Sequence, residues 1–474
     1  MAIYNILDFG AVGDSKTNNA AAIQKAIDTC SQSGGGKVIV PAGYIFMAGP
    51  FHLKSHVELH LEPNALLQAS NDESLYTETP FRNNISEGSM WISARHQKNI
   101  AITGTGTING SGRAFMHNEE PTHYNFKFVD GVDKRPHLLT LIGCQHITIR
   151  DVTFEDAAYW CIHPAGCEDV LIQGVRVYNS LRIRNCDGID IDHCRNVRIS
   201  DCDIRSADDC ICIKNRREYA EYGPCENITV TGCVLTSTSC AIKLGSENVD
   251  DIQNVIFEAC VIHGTNRGLG IQNRDEGNIE NVIFNNIIIE SRLFADVWWG
   301  KSEPIYVTAF KRAPGTKHRF KKGDTEGCIG KVRNIQFRNI ICNSENGIYV
   351  SGTKGSRIEE LLFENIRLRI NKTTEHPGGL YDRRPCDVVG IIKRKTAGFY
   401  LNEADDITVR NCKVSWGNNR PAYYGYAIEA HDVHDFHLEN FKGESAHPEQ
   451  NQSLHIVDVA DKEKGQGYTE LTLQ

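Results

Sequence analysis

The chain has 474 residues, of which 40% are hydrophobic, and a net charge of −9 at pH 7. Nucleic acid is not expected as its main partner, because phosphate backbones attract basic proteins. No run approaches the roughly eighteen apolar residues of a membrane span, so no membrane partner is expected either. The 41 glycines fit a turn-rich all-β protein. An anionic substrate would need a local cluster of lysine and arginine side chains.

The N-terminal segment predicts a strand, a short helix, a glycine turn and a second strand. A helix from Ala20 to about Cys30 is indicated, with Asn18 or Asn19 as its N-cap. The run Gly34–Gly36 ends the helix, and the strand that follows closes at Pro41. We expect this helix to cap the first coils of a larger β structure.

From Asn99 onward a short pattern repeats: a polar residue followed by alternating β-branched residues, as in NVRISDCDI and NITVTGCVL. Repeats of this kind, with no helix-length segment between strands, predict parallel coils stacked along one axis. The fold class predicted is therefore all-β, a single-stranded right-handed parallel β-helix with a short N-terminal cap helix. Most copies begin with Asn or Asp, which we expect to form a side-chain ladder. The copies start at Asn99, His146, Asp169, Asn196, Asn227, Asn254, Asn281, Asn334, Glu360, Asp406 and Asp435.

One β-helix domain is predicted for the whole chain, because a solenoid grows along one axis without splitting into domains. Two intervals between repeats are long, and each either hides a degenerate coil or forms a loop beside a cleft. The predicted divisions are an N-terminal cap and first coils (1–98), core coils with the active site (99–290), loop insertions (291–333 and 371–398), and C-terminal coils with a cap (399–474).

Seventeen cysteines are present, most of them within strand-like patterns. Reduced cysteines at such positions behave as small apolar core residues. Met1–Asp8 lacks the basic and apolar regions of a secretory signal. Together these features predict a cytoplasmic protein, or a secreted one if a signal has been removed.

Two groups of carboxylates lie one repeat apart, at Asp187 and at Asp208–Asp209. Neighbouring parallel strands are about 4.8 Å apart, so stacked coils would bring these side chains into one patch. A carboxylic acid beside a carboxylate is the chemistry that cleaves glycosidic bonds. Asp190 and Asp192 alternate with isoleucines, which favours solvated turn residues for both.

The motifs NCDGID and DDCICIK, together with the opening DFGAVGD and GGGKVIVPAG, resemble the polygalacturonase-type glycoside hydrolases of family 28. The resemblance implies that Asp208 is the general acid and that Asp187 and Asp209 activate the attacking water, with inversion at the anomeric carbon. It also implies that Asn185 orients this group and that Lys214 supplies a nearby positive charge. The predicted stacking distance instead favours retention of the anomeric configuration, because closely spaced carboxylates are typical of retaining enzymes.

Two motifs that grip the substrate in polygalacturonases are altered here. The G-H-G position reads Ser239-Cys240-Ala241, and the R-I-K position reads Gly270-Ile271-Gln272. Gln272 can hydrogen-bond a neutral hydroxyl but is a poorer partner for a carboxylate than a charged pair. Candidates to replace the missing cations are Lys243, Arg267 and Arg274.

Three further residues are candidate substrate contacts: His163, Trp299 and Glu303. His163 precedes Asp187 by one coil, and a structural role for it is the competing interpretation. Trp299 can stack on a sugar ring, whereas packing in the core is equally expected for one of the pair Trp298–Trp299.

The function predicted is hydrolysis of pectic, galacturonate-containing oligo- or polysaccharides, exo-acting and inverting. Carboxylates and water suffice for this reaction, so no metal or organic cofactor is expected. Rhamnogalacturonan and xylogalacturonan are the alternative substrates. Two rival functions are a lyase or epimerase, with the aspartates as calcium ligands and Lys214, Lys243 or Arg267 as base, and a non-catalytic glycan-binding β-helix.

Overall fold

The structure is a computed structural model that describes residues 2–81, 87–116, 133–312 and 329–457. Two compact units are present. Unit 1 comprises Met1–Cys212 with Glu218–Cys233, and unit 2 comprises Ile213–Arg217 with Val234–Gln474. A single domain over 1–474 stays a prediction. None of the helices in the described residues has the length and apolarity needed to cross a membrane.

Unit 1 begins with the strand Ile3–Asn5, continues with the predicted helix, Ala20–Gln32, and then forms further short parallel strands. Asn19 is the N-cap residue, but its side chain accepts a hydrogen bond from the Val12 N–H and none from the helix. The Ala20 N–H instead donates to Asn18 Oδ1. Short 3-10 helices are Ile6–Phe9, Glu73–Leu75 and Gly112–Phe115, and a fourth, Arg217–Tyr222, crosses the unit boundary, as does the strand Ile211–Asn215. The strands are Ile3–Asn5, Gly36–Val40, Ile45–Ala48, Phe51–His52, Val57–Leu61, Leu66–Ala69, Glu87–Arg95, Lys98–Gly104, Thr107–Asn109, Asp133–Ile142, Gln145–Arg150, Thr153–Glu155, Ile162–Ala165, Glu168–Gln173, Arg176–Tyr178, Ile189–Asp192, Arg195–Ser200, Asp203–Ser206 and Cys225–Thr231.

The core of unit 1 consists of aligned β-branched side chains, one from each coil. Parallel pairing brings Ile100, Ile147, Val170, Val197 and Ile228 into one column, and all five are buried. A one-residue slip would turn this column toward solvent, so burial fixes the register. The parallel β-helix predicted from the repeats is confirmed in this unit.

Unit 2 repeats the same architecture with longer strands. Its strands are Val234–Ser237, Cys240–Asn248, Ile252–Glu258, Val261–Thr265, Arg267–Asn273, Ile279–Ser291, Ile305–Ala309, Val332–Ser344, Ile348–Ser351, Ile358–Ile370, Leu380–Asp382, Ile391–Lys393, Phe399–Arg410, Lys413–Trp416, Ile428–Glu439 and Leu454–Val457. Phenylalanines stack along its core, with successive ring centroids 4.9, 5.0 and 5.1 Å apart from Phe257 through Phe284 and Phe337 to Phe363.

Every repeat start named above has a positive φ, between 50° and 60°. Asn and Asp tolerate this left-handed conformation better than most residues, which explains their recurrence at the start of each copy. The predicted amide ladder is present in both units. Asn227 donates to Asn196 at 3.3 Å in unit 1, and Asn334 donates to Asn281 at 2.8 Å in unit 2.

The two long intervals of the sequence differ in structure. The first contains a coil strand, Ile305–Ala309, that pairs in parallel with Arg267–Asn273 and with Ile348–Ser351. The second contains an antiparallel pair, Leu380–Asp382 with Ile391–Lys393. Residues 313–328 of the first interval and 458–474 of the predicted C-terminal cap lie outside the described residues.

Candidate active site

The three aspartates of the two motifs meet in unit 1. One carboxylate oxygen from each of Asp187, Asp208 and Asp209 lies within 4.8 Å of the other two. Asp187 and Asp209 are buried, and Asp208 is half-buried. A compact trio of carboxylates with one member open to solvent can transfer protons to and from a substrate. Their catalytic role stays a prediction.

Parallel pairing of the two motif segments creates this arrangement. The Gly188 N–H donates to the Asp209 carbonyl at 2.8 Å, and the Ile189 N–H donates to Cys210 at 2.9 Å. A Cβ atom at Gly188 would lie 2.4 Å from the Cys210 carbonyl oxygen. Only glycine therefore permits this approach, which explains the glycine after Asp187.

The backbone of the trio is held from two sides. The Asp187 carbonyl accepts hydrogen bonds from the Cys161 N–H at 3.0 Å and from Asn179 Nδ2 at 3.3 Å. Ser206 Oγ donates to the Asp208 carbonyl at 2.9 Å. These contacts fix the backbone positions from which the side chains of Asp187 and Asp208 extend, so little rearrangement is needed on substrate binding.

Asn185 contacts Asp208 as the resemblance implies, but through its backbone. Its N–H donates to Asp208 Oδ2 at 3.3 Å, while its side-chain oxygen accepts from Arg135 Nη2 at 3.4 Å. Arg135 also donates to the carbonyls of Arg184 at 2.7 Å and Ala158 at 3.1 Å, and Asp133 holds its other face at 2.7 Å. Arg135 was missed in the sequence because no motif links it to a segment 50 residues later.

His163 lies on the strand next to that of Asp190 and Asp192. It is fully buried, and its Nε2 is 3.4 Å from Asp192 Oδ2. Its Nδ1 atom has no hydrogen-bond partner among the described residues. A contact between His163 and substrate stays a prediction.

The interpretation of Asp190 and Asp192 as solvated turn residues is wrong. Both are in the strand Ile189–Asp192 and both are 0% exposed. Alternation correctly turns them away from the apolar column, but it does not show what covers that face. Tyr219, for example, packs against His163 on the neighbouring strand, with ring centroids 6.0 Å apart.

Arg267 and Glu303, two predicted substrate contacts, pair with each other in unit 2. Arg267 Nε is 3.4 Å from Glu303 Oε2, both side chains are buried, and the guanidinium lies 3.6 Å from the Tyr306 ring centroid. Burial alone would lower the pKa of Arg267, but the Glu303 carboxylate outweighs it and the pKa is raised. Arg267 is therefore a buried side chain that packs against the Tyr306 ring and pairs with Glu303.

The two altered motifs are neighbours in unit 2. Gly270 pairs with Lys243 on one side and with Tyr306 on the other. A Cβ atom at Gly270 would lie 2.8 Å from Cys240 Sγ, so the cysteine occupies the space of a larger side chain. Cys240 and Gly270, one from each motif, are therefore packed against each other.

The remaining candidates differ in accessibility. Lys214, Gln272 and Arg274 are buried, with relative exposures of 3, 3 and 2%, and Lys243 is half-buried. Trp299 is 41% exposed, whereas Trp298 is buried, so one tryptophan of the pair is in the core as expected. Stacking of Trp299 on a sugar stays a prediction.

Comparison with known proteins gives a consistent family. The model for the glycosyl hydrolases family 28 matches residues 30–378. A probable polygalacturonase of Vitis vinifera is 33% identical over 270 residues, covering 53% of this chain and 52% of the relative. An exo-poly-alpha-D-galacturonosidase of Dickeya chrysanthemi is 28% identical over 254 residues, covering 44% of this chain and 41% of the relative. The chain thus spans about half the length of the curated relatives it matches.

A solved structure supports the fold. The family 28 exopolygalacturonase of Yersinia enterocolitica superposes with a TM-score of 0.67 at 19% identity, covering 98% of this chain and 79% of that chain. The predicted class, a right-handed parallel β-helix of the pectin type, is confirmed. Since the family model covers well over half of the sequence, the chain belongs to the glycosyl hydrolases family 28.

Proposed function

We propose that this protein is a glycosidase that hydrolyses pectic, galacturonate-containing oligo- or polysaccharides from the chain end. The observation that carries the proposal is the trio Asp187, Asp208 and Asp209, whose carboxylate oxygens lie within 4.8 Å of one another. The family, and the names of the two relatives above, supply the substrate class and the exo mode.

Asp208 is proposed as the general acid that protonates the leaving oxygen, since it is the member of the trio that is open to solvent. Asp187 and Asp209 would hold and deprotonate the attacking water. Two hydrogen bonds of about 2.8 Å at the natural angle of water span about 4.5 Å. Carboxylate oxygens that lie within 4.8 Å of one another are therefore close enough for a single water to bridge two of them.

Inversion is proposed, with the water attacking the face opposite the leaving group. Carboxylates this close are more typical of retaining enzymes, in which one carboxylate attacks the sugar directly. A third carboxylate changes this expectation, because two members can bind the water while the third protonates the leaving group. Proton NMR of the first product formed distinguishes the two: the anomer opposite to the substrate supports inversion, and the same anomer contradicts it.

Mass spectrometry of products from a panel of saturated pectic oligosaccharides tests the reaction itself. Stepwise products, each carrying one added water, are expected from the wild type and should be lost in Asp208→Asn. Asp201→Asn, a change of an exposed carboxylate between the strands Arg195–Ser200 and Asp203–Ser206 of the same unit, is the matched control and should remain active. Rhamnogalacturonan and xylogalacturonan fragments belong in the panel, because the altered motifs leave these substrates open.

A lyase is the second candidate, favoured by one observation. Three carboxylates within 4.8 Å are also a suitable donor set for a calcium ion, which prefers oxygen ligands. Elimination would give products with a new double bond that absorb in the ultraviolet, and a chelator would abolish activity. Water-added products that persist with chelator would reject this candidate.

A further inference from the structure

One face of unit 2 contains a row of three tyrosines, one from each of three successive coils. Tyr306 pairs with Tyr349, which pairs with Tyr400, and successive ring centroids are 5.4 and 5.1 Å apart. All three side chains are buried. The hydroxyls of Tyr306 and Tyr349 make no hydrogen bond within the described part of the chain. A buried hydroxyl without a partner costs free energy, so these two are expected to bind a water or a ligand.

Two arginines beside this row lack a carboxylate partner among the described residues. Arg274 is 2% exposed, and its guanidinium donates to neutral groups: the carbonyls of Asn273 at 2.9 Å and Arg383 at 3.1 Å, and Thr308 Oγ1 at 3.0 Å. Arg383 is half-buried and donates to the Val389 carbonyl at 2.6 Å.

Two neighbouring arginines, in contrast, are each paired with a carboxylate. Arg394 pairs with Glu429 at 2.6 Å and lies 4.8 Å from the Tyr400 ring centroid, as Arg267 pairs with Glu303 beside Tyr306. The uncompensated charges are therefore those of Arg274 and Arg383. A buried cation without a counter-charge is strongly unfavourable, and a bound anion is the usual remedy.

Arg274 and Arg383 lie beside the same ring, with their guanidinium carbons 5.4 and 5.3 Å from the Phe310 ring centroid, and their charges act on the tyrosine hydroxyls. Burial raises the pKa of Tyr349, and the charge of Arg383 acts against that rise. Burial also raises the pKa of Tyr306, which Arg267 and Arg274 oppose. Burial lowers the pKa of Arg274, as expected for a cation held away from water.

An acceptor atom adjoins this group of donors. Gln272 Oε1 is buried without a hydrogen-bond partner in the described residues, and Gln272 pairs along the sheet with Thr308, which Arg274 contacts. Arginine and tyrosine donors suit a carboxylate, whereas an amide oxygen accepts from a hydroxyl. A uronic acid carries a carboxylate and hydroxyls on one small ring and so matches both the donors and the acceptor. An inorganic anion matches only the donors.

We propose that Tyr306, Tyr349, Gln272, Arg274 and Arg383, here called the tyrosine–arginine cradle, bind the carboxylate and one hydroxyl of an acidic sugar. This inference deepens the proposed function, on which it rests for the kind of ligand. The cradle would supply the carboxylate recognition that the altered Gly270-Ile271-Gln272 motif has lost. Arg267 is then a support of the cradle rather than a direct ligand.

Isothermal titration calorimetry with methyl α-D-galacturonate and methyl α-D-galactoside tests the cradle, because neither glycoside carries the linkage of the polymer. The wild type should bind the galacturonate at least about tenfold more tightly than the galactoside, since a charged hydrogen bond contributes that much. Arg383→Gln should remove this preference. Tyr349→Phe, which keeps the ring stack, should weaken galacturonate binding about threefold to tenfold.

Two variants of the same unit serve as matched controls. Arg369→Gln makes the same charge change at an exposed strand position, and Tyr423→Phe removes another buried hydroxyl without a partner in the described residues. Both should bind like the wild type, and all variants should melt as cooperatively as the wild type. Equal affinity for the two glycosides, or cradle variants that bind no differently from the controls, would overturn the proposal.

The outcome separates the cradle from the proposed hydrolysis. Selective binding with no turnover of any oligosaccharide would reject the hydrolase and keep the cradle. Hydrolysis of galacturonate oligomers with unaltered selectivity in Arg383→Gln and Tyr349→Phe would reject the cradle and keep the hydrolase.

Discussion

Arg135 contacts several groups beside the candidate catalytic carboxylates. It holds the Asn185 side chain, and Asn185 in turn donates its N–H to Asp208. Burial opposes the charge of Arg135, yet the Asp133 carboxylate raises its pKa, so the guanidinium stays charged. Asn185 itself has a φ of 58°, a left-handed conformation that Asn tolerates better than most residues. Arg135 is therefore a positioning residue for Asp208.

Replacement of Arg135 by glutamine should lower kcat about tenfold to a hundredfold while KM changes little, because Asp208 loses its orientation but the substrate contacts remain. Steady-state kinetics on a pectic oligosaccharide measures both constants. Arg135→Lys keeps the charge and should recover part of kcat. Arg150→Gln, at an exposed position of the same unit, is the control. A rise in KM with kcat unchanged would place Arg135 in binding instead.

The proximity of the three aspartates was predicted from their motifs, whereas their catalytic role stays a prediction. Asp187, Asp208 and Asp209 come together because the repeat places them one coil apart and backbone hydrogen bonds align the two segments side by side. Asp190 and Asp192 were assigned to solvent wrongly, since alternation gives the side of a strand and not its cover. The pairing of Arg267 with Glu303 joins coils that the sequence separates by an insertion.

At the scale of elements, one side chain anchors both insertions of unit 2. Glu345 accepts a hydrogen bond from the Leu293 N–H at 2.6 Å in the first interval. It also accepts from the N–H groups and hydroxyls of Thr373 and Thr374 in the second. Burial alone would raise the pKa of Glu345, but the N–H donors outweigh it and hold the pKa below its usual value.

Glu345→Gln should destabilise the protein by about 2 kcal/mol at pH 7, since charge-assisted hydrogen bonds are lost. A lowered folded-state pKa contributes stability that is present above the ordinary value of 4.5. That contribution disappears as the pH falls through the folded-state pKa. The difference between wild type and variant should therefore narrow below pH 4.5, as measured by urea denaturation at several pH values. Glu375→Gln, an exposed change in the same segment, should show no such pH dependence.

The elements themselves were largely predictable. Copy starts coincide with left-handed residues because the turn geometry selects Asn and Asp there. The cap helix followed from its glycine stop and apolar spacing. The sequence did not decide whether the interval that contains Ile305–Ala309 forms a coil strand or a loop, because an insertion interrupts the repeat spacing that would reveal a strand.

At the scale of the molecule, the cysteines of the described residues behave as the repeats predict. All sixteen of them are buried and none forms a disulfide with another described cysteine, while Cys328 lies outside that part of the chain. Burial raises the pKa of several of them, for instance that of Cys412 to about 11. Thiolate is the reactive form, so buried thiols of this kind react slowly.

Titration of the native protein with a chromogenic disulfide reagent at pH 7.5, near neutral, should detect at most about one fast thiol. Unfolding in guanidinium should release the others. Any fast thiol should disappear in Cys328→Ser, which leaves every described cysteine in place. Several fast thiols that survive this substitution would contradict the packed arrangement.

The sequence by itself determined the period of the coils, the cap helix, the burial of the cysteines and the spacing of the three aspartates. These follow from local rules, since alternation, turn conformation and repeat length act within one coil. Tertiary structure decided which residues meet across coils: it buries Asp190 and Asp192, brings Arg135 to Asn185, and leaves Arg274 and Arg383 without a carboxylate partner among the described residues. Such contacts join residues far apart in the chain, where burial sets the strength of an interaction and no local pattern records it.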